Sequence, residues 1–461
     1  MGVVVRLETV RQQGEVERWR RRGYEAVDQM VEKLRDEIGG KDFEALSALL
    51  GREGQKLTGT LFEEVLKSRG VKQRGQDTHI CEDCGRTLKR QKQLHTKTVE
   101  SRHGEVKIER PYFHCKPCRR GYYPFDRALG IAPERKQYDL QRAAAELFSE
   151  VPHERASQIF ERLTGVKLSN HGMHDLATQM GEAADRVRVL PSRQRVEAII
   201  EEAGNGRVWR PVLVVASDGA EVPTRPEVDS RAQKRGPGEW KEAKGFRIYL
   251  VGQDRIEQIL SWHQVATEEE CGEVIRFAAT LIPVEQVRVA LVGDGAKWVW
   301  THMKAAFPTG KEILDHYHCS ERIHKVAQIQ YSQDQNQQAL WIESTLARLN
   351  FGEVESVIWG LQRMKPASAE AEEELRKLIG YLKNNAHRIH YRSFKRGQYP
   401  RGSGGIESAN KFICHVRMKR SGAWWYIING NKMLRLRCAF YNDTFDEVFA
   451  RYKRLNSAKN R

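Results

Sequence analysis

The sequence predicts a multidomain α/β protein: a mixed β-sheet carrying an all-α insertion, preceded by a four-cysteine ribbon and helical N-terminal segments. Three observations predict it. The runs VLVVASDGA and VRVALVGDGA each stop at an acid followed by Gly, as buried strands do when they deliver a carboxylate to a sheet edge. Two C-x-x-C pairs bracket a stretch of alternating side-chain character. From Cys319 to about Arg396, apolar residues recur at the three- and four-residue spacing of helices.

At 461 residues the chain has room for two to four domains. Its net charge of +16 points to a polyanionic partner. Met1–Leu7 is too short for a signal peptide and runs into charged helix, and no apolar stretch approaches the roughly 20 residues of a membrane span. The expectation is a soluble cytoplasmic protein with no membrane partner.

Residues 1–70 form an N-terminal helical region, read either as a recognition or dimerisation arm or as a packed cap. The ribbon occupies 71–135. Cys81 and Cys84 lie in HICEDCGRTLKR, and Cys115 and Cys118 in PYFHCKPCRRGYYP; each pair reads as a tight turn carrying two thiols. Between them HTKTVES and EVKIERPYF alternate as a hairpin turning at His103-Gly104. Four thiolates in tetrahedral array suit a structural Zn²⁺ and leave no open position for catalysis. Redox pairs or an iron–sulfur cluster are the competing chemistries. Lys89, Arg90, Lys92, Arg119 and Arg120 give the ribbon a basic face, equally compatible with phosphate contact and with a solvated surface. Cys271, Cys319, Cys414 and Cys438 lack pair spacing and read as core residues.

Residues 136–195 form a second helical domain. HERASQIFERLTG, a short connection over 165–168 and a helix starting near Ser169 or Asn170 have helix-turn-helix spacing. The second helix carries few base-reading Arg residues, so DNA reading and plain packing both stand. The first part of the catalytic core spans 205–318, with strands over 211–217, 245–252, 256–263, 287–293 and 311–317 and helices over 268–281 and 296–306. The polar stretch over 222–244 reads as a rim loop. An all-α insertion covers 319–400, the final core helices 401–445, and a basic tail 446–461.

Asp218, Asp294 and Glu407 are the candidate catalytic acids. Acids held close repel unless a cation neutralises them, and hard divalent cations such as Mg²⁺ or Mn²⁺ prefer carboxylate oxygen. Glu407 follows the Gly-rich break YPRGSGG and opens a helix dense in Arg and Lys. Lys411, His415, Arg417, Lys419 and Arg420 on that helix, with Trp424 beyond it and Lys244 flanking the second strand, are the candidate DNA contacts. Asp315 and His318 form D-x-x-H after the fifth strand and are accessory candidates.

The segments SDGAEVPTR, GDGAKW, LDHYHCSERI and RGSGGIESANKFICHVRMKRSGAWW resemble a DDE-type insertion-sequence transposase of the ISKra-type and Mutator-like group. The resemblance covers roughly residues 75–445. It implies a ribonuclease H-like catalytic fold, with the first acid ending strand one, the second ending strand four and the third on a helix after an all-α insertion. It also implies two Mg²⁺ ions held by Asp218, Asp294 and Glu407. The implied activity is cleavage at transposon terminal repeats and strand transfer into target DNA by a nucleoid-associated homodimer or higher assembly. It places a D-x-x-H signature near Asp315 and His318, where it positions the site or DNA. Two alternatives remain: a ribonuclease H-like nuclease or resolvase, and a non-catalytic zinc-dependent DNA-binding protein derived from a transposase.

Overall fold

The computed structural model describes residues 2–69, 75–206, 209–226, 237–252 and 256–458. They form two compact units, Met1–Gln179 with Phe449–Arg461, and Met180–Val448. Among the described residues no helix is long and apolar enough to cross a membrane.

In the first unit, helices α1 (Gly2–Glu37) and α2 (Phe43–Arg69) pack together, and the Trp19 indole N–H donates to Ser68 Oγ at 3.1 Å. The ribbon follows as β1 (Thr78–Ile80), β2 (Thr87–Lys89), β3 (His95–Ser101), β4 (Gly104–Arg110), β5 (Phe113–Cys115) and β6 (Arg120–Tyr122), paired successively as three antiparallel ladders. Ser101 pairs with Gly104, so the hairpin connection is Arg102-His103, one residue earlier than the sequence suggests. Gly104, at φ 83°, takes the left-handed conformation where the chain re-enters the ladder. The hairpin is too small to bury its own inner face. Phe62 and Leu66 of α2 cover Val99, Val106, Ile108 and Phe125.

Beyond α3 (Pro124–Leu129) and α4 (Tyr138–Glu150), α5 (His153–Thr164) ends on Gly165 at φ 69°. Helix α6 (Asn170–Ala183) starts where expected, with Ser169 Oγ accepting from the Gly172 N–H. Met173, Leu176, Ala177 and Met180 are buried, so one face of α6 is committed to packing. The C-terminal stretch expected as a basic tail is a helix, Phe445–Ala458. Its Phe449, Tyr452 and Asn456 are buried, and Tyr452 Oη donates to Gln141 Oε1 at 2.9 Å. The Lys and Arg residues of that stretch hid an apolar stripe at helical spacing.

The second unit begins with α7 (Arg193–Gly204) and builds one sheet from β7 (Val212–Thr224), β8 (Glu239–Val251), β9 (Ile256–Val265), β10 (Arg288–Gly293) and β11 (Lys311–Leu314). Helices α8 (Glu268–Ala279) and α9 (Lys297–Ala306) lie between the later strands. The spatial order is β11-β10-β7-β8-β9; β10 runs parallel to β7 and β11, whereas β7–β8 and β8–β9 are antiparallel. Val212–Ala216 is buried throughout, which explains an apolar run without alternation.

Two boundaries differ from expectation. Strand β7 continues through Asp218 to Thr224, and β8 starts at Glu239, so much of the expected rim loop is an antiparallel ladder. Its residues 227–236 lie outside the described ones. Strand β11 stops at Leu314, because Asp315 caps the next helix.

Helices α10 (His316–Gln330), α11 (Gln335–Phe351), α12 (Val354–Arg363), α13 (Ala369–Asn385) and α14 (Tyr391–Arg396) follow as the helical block. The chain then returns to the sheet as α15 (Gly404–Asn410), a π-helical turn over Lys411–His415, α16 (Val416–Met418) and α17 (Ile427–Tyr441). Helix α15 packs on β7 and β8, and α17 on β9. A Cβ at Gly405 would strike the Tyr249 ring, and the Gly405 carbonyl accepts from Arg247 Nη1 at 2.7 Å. That close approach seats the start of α15 on the sheet.

Candidate active site

One level of the sheet gathers three of the candidate acids. Asp218 on β7 pairs with Gly245 on β8, which pairs with His263 on β9. On the other side Val292 of β10 pairs with Ala216, and Gly293 with Leu314 of β11. Carrying that register past the strand ends sets Asp294 and Asp315 abreast of Asp218. Directly paired residues share a face. From β11 to β9 the row therefore reads Asp315, Asp294, Asp218, Gly245, His263.

Asp218 is largely buried, and burial raises its carboxyl to about 6; the charges of Asp294 and Glu407 push the same way, and His318 opposes them. Its Oδ2 accepts from Asn410 Nδ2 at 2.8 Å. Asp294 is partly exposed, its Oδ1 accepting from the Ala296 N–H at 2.9 Å while its carbonyl accepts from Tyr381 Oη at 2.8 Å. Gly295 beside it, at φ 104°, makes the turn into α9. Glu407, on α15, is exposed, and Ser403 Oγ donates to its Oε1 at 3.2 Å.

Asp315 is fully buried and accepts three backbone N–H groups. Oδ1 takes those of Tyr317 and His318 at 2.5 and 3.3 Å, and Oδ2 takes that of Ser403 at 2.6 Å. This carboxylate fastens the start of α10 to the loop that launches Glu407. Donor atoms of Asp315, His318 and Glu407 lie within 4.8 Å of one another, a group that could hold a metal ion. Asp218, Asp294 and Glu407 do not meet that mutual distance as a trio among the described residues. His318 Nδ1 is 3.2 Å from Glu321 Oε2, the arrangement in which a carboxylate orients an imidazole and leaves Nε2 for a ligand.

The expected DNA contacts divide. Lys411 and Arg420 are exposed, while His415 and Lys419 are half-buried. Trp424 is 38 % exposed and sits edge-on to Trp240, itself 56 % exposed. Arg417 is buried against the Trp425 ring, and Lys244 is buried with its ammonium on Glu242 Oε2 at 2.6 Å and over the Trp298 ring. Neither offers its charge to solvent. The π-helical turn explains part of the difference, because it breaks the four-residue periodicity that groups Lys411, His415 and Lys419 on one face. Lys419 lies past the last helical residue.

Sequence reasoning missed Asn410 and His263. Asn410 stands three residues after Glu407, on the same side of the helix, and His263 interrupts an apolar strand. Both were detectable signals. His263 is fully buried, and burial pushes its imidazole down to about 4. Two opposed pH effects follow. His263, depressed from 6.5, contributes stability above 6.5 that is lost as pH falls toward 4, about 3 kcal/mol in all. Asp218, raised from 3.8, contributes stability present below 3.8 and lost as pH rises through 6, also about 3 kcal/mol. The two offset each other in the metal-free wild type. Urea titrations between pH 4 and 6.5 should show stability falling with pH in His263→Phe and rising with pH in Asp218→Asn.

In the ribbon, the four sulfurs of Cys81, Cys84, Cys115 and Cys118 lie within 4.8 Å of one another and could hold a metal ion. The Cys81–Cys118 and Cys84–Cys115 separations are 3.9 and 3.6 Å. A tetrahedron with metal–sulfur bonds of about 2.3 Å has edges of about 3.8 Å. Tyr122 Oη lies 2.9 Å from Asp83 Oδ2 and 3.2 Å from Cys81 Sγ, the contact that does most to hold that thiol down to about 6. His114 is an exposed residue of β5. Lys89, Lys92, Arg119 and Arg120 are exposed, while Arg90 and Arg120 pair with Asp77 and Asp83.

No curated protein matches the chain. Among solved structures, the Drosophila P element transposase strand transfer complex is similar at 11% identity over 68% of this chain and 79% of that one, with a TM-score of 0.26. At that score two chains need not share a fold. A family model matches residues 40–451, and the chain belongs to that family, the Uncharacterised protein family (UPF0236).

Proposed function

We propose that this chain is a DNA transposase that cuts at transposon ends and joins them to target DNA, with Asp218, Asp294 and Glu407 as a DDE triad on a ribonuclease H-like core. The observation that carries the reading is electrostatic. Burial does most to hold Asp218 at about 6, and two further acids add to it: Asp294, just past the neighbouring strand β10, and Glu407, on a helix returning after an all-α block. Acids gathered at this cost are explained by a cation that neutralises them. The sheet supports the fold reading, since β7, its first strand, carries Asp218 and Asp294 directly follows β10, its fourth.

Carboxylate oxygens suit Mg²⁺ or Mn²⁺, and Asp218, Asp294 and Glu407 would hold two such ions, with His318 beside Glu407. When bound, the ions supply charge neutralisation at the phosphate and acidify water. The chain's own residues do the positioning. Ser403 orients Glu407, Asp315 anchors the loop that carries both, and Asn410 orients Asp218. Lys411 and Arg420 would grip flanking phosphates. Cleavage exchanges one P–O bond at the element end for a bond to water oxygen and frees a 3′-hydroxyl. Joining exchanges a target P–O bond for one to that hydroxyl, so bond number is conserved and no external energy source is required. Two ends must be held at once, which favours a homodimer or higher assembly. The four thiolates fit a structural Zn²⁺.

The test uses duplex oligonucleotides carrying the inverted repeats that flank the gene. With Mg²⁺ or Mn²⁺, nicks at the repeat ends and joined products are expected. Nicks without joining would replace this reading with a nuclease or resolvase. Metal-independent binding with no cleavage would leave a DNA-binding protein.

A further inference from the structure

The row across the sheet ends on His263, a buried imidazole to which the proposed reaction gives no task. Its surroundings are specific. Gly245 lies between His263 and Asp218 in the ladder, and a Cβ there would run into the imidazole. The missing side chain lets the ring lean across β8 toward β7. It stops at Asn410, its Nε2 2.8 Å from Asn410 Oδ1. The other end of the same amide donates from Nδ2 to Asp218 Oδ2 at 2.8 Å. Asn410 is 4 % exposed and His263 0 %, so water does not compete at the bond between them.

We propose that His263 and Asn410 form a positioning relay, in which the imidazole fixes the Asn410 amide so that an N–H always faces Asp218 Oδ2 and the other carboxylate oxygen is left to hold a metal ion.

The need for the relay lies in the amide. A carboxamide presents N–H₂ or oxygen with almost the same shape, and turned by 180° Asn410 would put its oxygen against the carboxylate. His263 forbids the turn. With Nδ2 on Asp218, Oδ1 must accept, so His263 carries its proton on Nε2. A flipped amide would set its oxygen against an anion and would force the His263 proton onto Nδ1, where a buried N–H finds no acceptor. His263 Nδ1 has no hydrogen-bond partner, so the ring's polar contact runs toward Asn410. An orphaned buried nitrogen is a cost that packing alone does not call for. Asn410 stands three residues after Glu407 on one helix, so a single element carries both a proposed ligand and the aim of another.

The inference rests on Asp218 being a metal ligand, and direct metal binding tests the two separately. Mn²⁺ titrations of the full, zinc-loaded chain, read by the electron paramagnetic resonance of free Mn²⁺, need no catalysis. Asp218→Asn is expected to weaken binding at least 100-fold or to remove a bound ion. Asn410→Ala should raise the Mn²⁺ dissociation constant about tenfold, the usual cost of losing an outer-shell partner. His263→Phe should raise it by a similar factor, and His263→Gln, which keeps an N–H donor, should restore most of the affinity. Because the two residues act in series, the Asn410→Ala/His263→Phe double variant should bind no more weakly than Asn410→Ala alone. Multiplied effects in the double variant would overturn the relay, as would wild-type affinity in Asn410→Ala. Equal Mn²⁺ binding by wild type and Asp218→Asn would remove the metal role of Asp218 and the relay with it.

Discussion

Asp294→Asn is expected to lower the rate of metal-dependent strand cleavage by about 10³-fold or more while leaving DNA affinity and melting temperature close to wild type. The substitution keeps the side chain's shape. The amide oxygen that replaces Asp294 Oδ1 can still accept the Ala296 N–H that starts α9, and the bond from Tyr381 goes to the backbone carbonyl and is untouched. What disappears is one negative charge beside Asp218 in the row. Removing a group that stabilises developing charge at a reaction centre typically costs 10²- to 10³-fold, and a carboxylate that also holds a cation sits at or above that upper end. Glu407→Gln should match it, although Glu407 is exposed and its side chain is steadied by Ser403 alone among the contacts described. Single-turnover cleavage of an uncut end, compared with filter binding of the same DNA, separates lost chemistry from lost grip. Wild-type cleavage by Asp294→Asn would end the triad assignment.

Removing metal from the ribbon should unfold it. Its inner cluster is Cys81, Leu88, Phe113, Cys115 and Tyr122, and two of those five belong to the four-cysteine group that could hold the metal. Strands β1, β2, β5 and β6 are three residues each, too short to hold register without a tether. In small zinc domains the metal contributes roughly 10–16 kcal/mol, which amounts to the whole folding free energy. Elemental analysis should find one zinc per chain in the wild type and none at this site in Cys115→Ser. Chelation, or that substitution, should open residues 75–122 to protease while the unit built on the five-stranded sheet stays resistant. Iron, or an unchanged digestion pattern after chelation, would count against structural zinc. DNA binding that survives chelation would show that the ribbon is not the principal reader.

Much of this architecture was legible because its strands are fully buried. Val212–Ala216 and Val289–Val292 are continuous apolar runs, and the helices over 316–385 announce themselves by periodicity. The continuation of β7 through Gly219, Pro223 and Thr224 was not legible, since glycine, proline and charge argue against a strand. Its ladder with β8 persists because the register set by the buried half carries forward, and Pro223 contributes a carbonyl, accepting from the Trp425 N–H at 3.1 Å. The acids could be read because each stands beside a turn residue. Their supports could not: Asn410 matters through a contact with a strand 192 residues away in sequence, and His263 through the absence of a side chain at Gly245. The basic helix misled for a local reason, as a π-helical turn re-aims every residue beyond it.

The row from Asp315 to His263 also makes the site a single inherited coordinate. Side chains alternate faces along a strand, so a one-residue slip of β7 would turn Asp218 away from Asn410 and present Ser217 or Gly219 in its place. Any single-residue deletion between Val212 and Asp218 therefore strikes the proposed metal site, amide orientation and the partner strands together. Substitutions along the row can be sampled one at a time during divergence, but its alignment cannot. Relatives that drift far in sequence should keep the spacing from the start of β7 to the first acid even where the residues between them are exchanged.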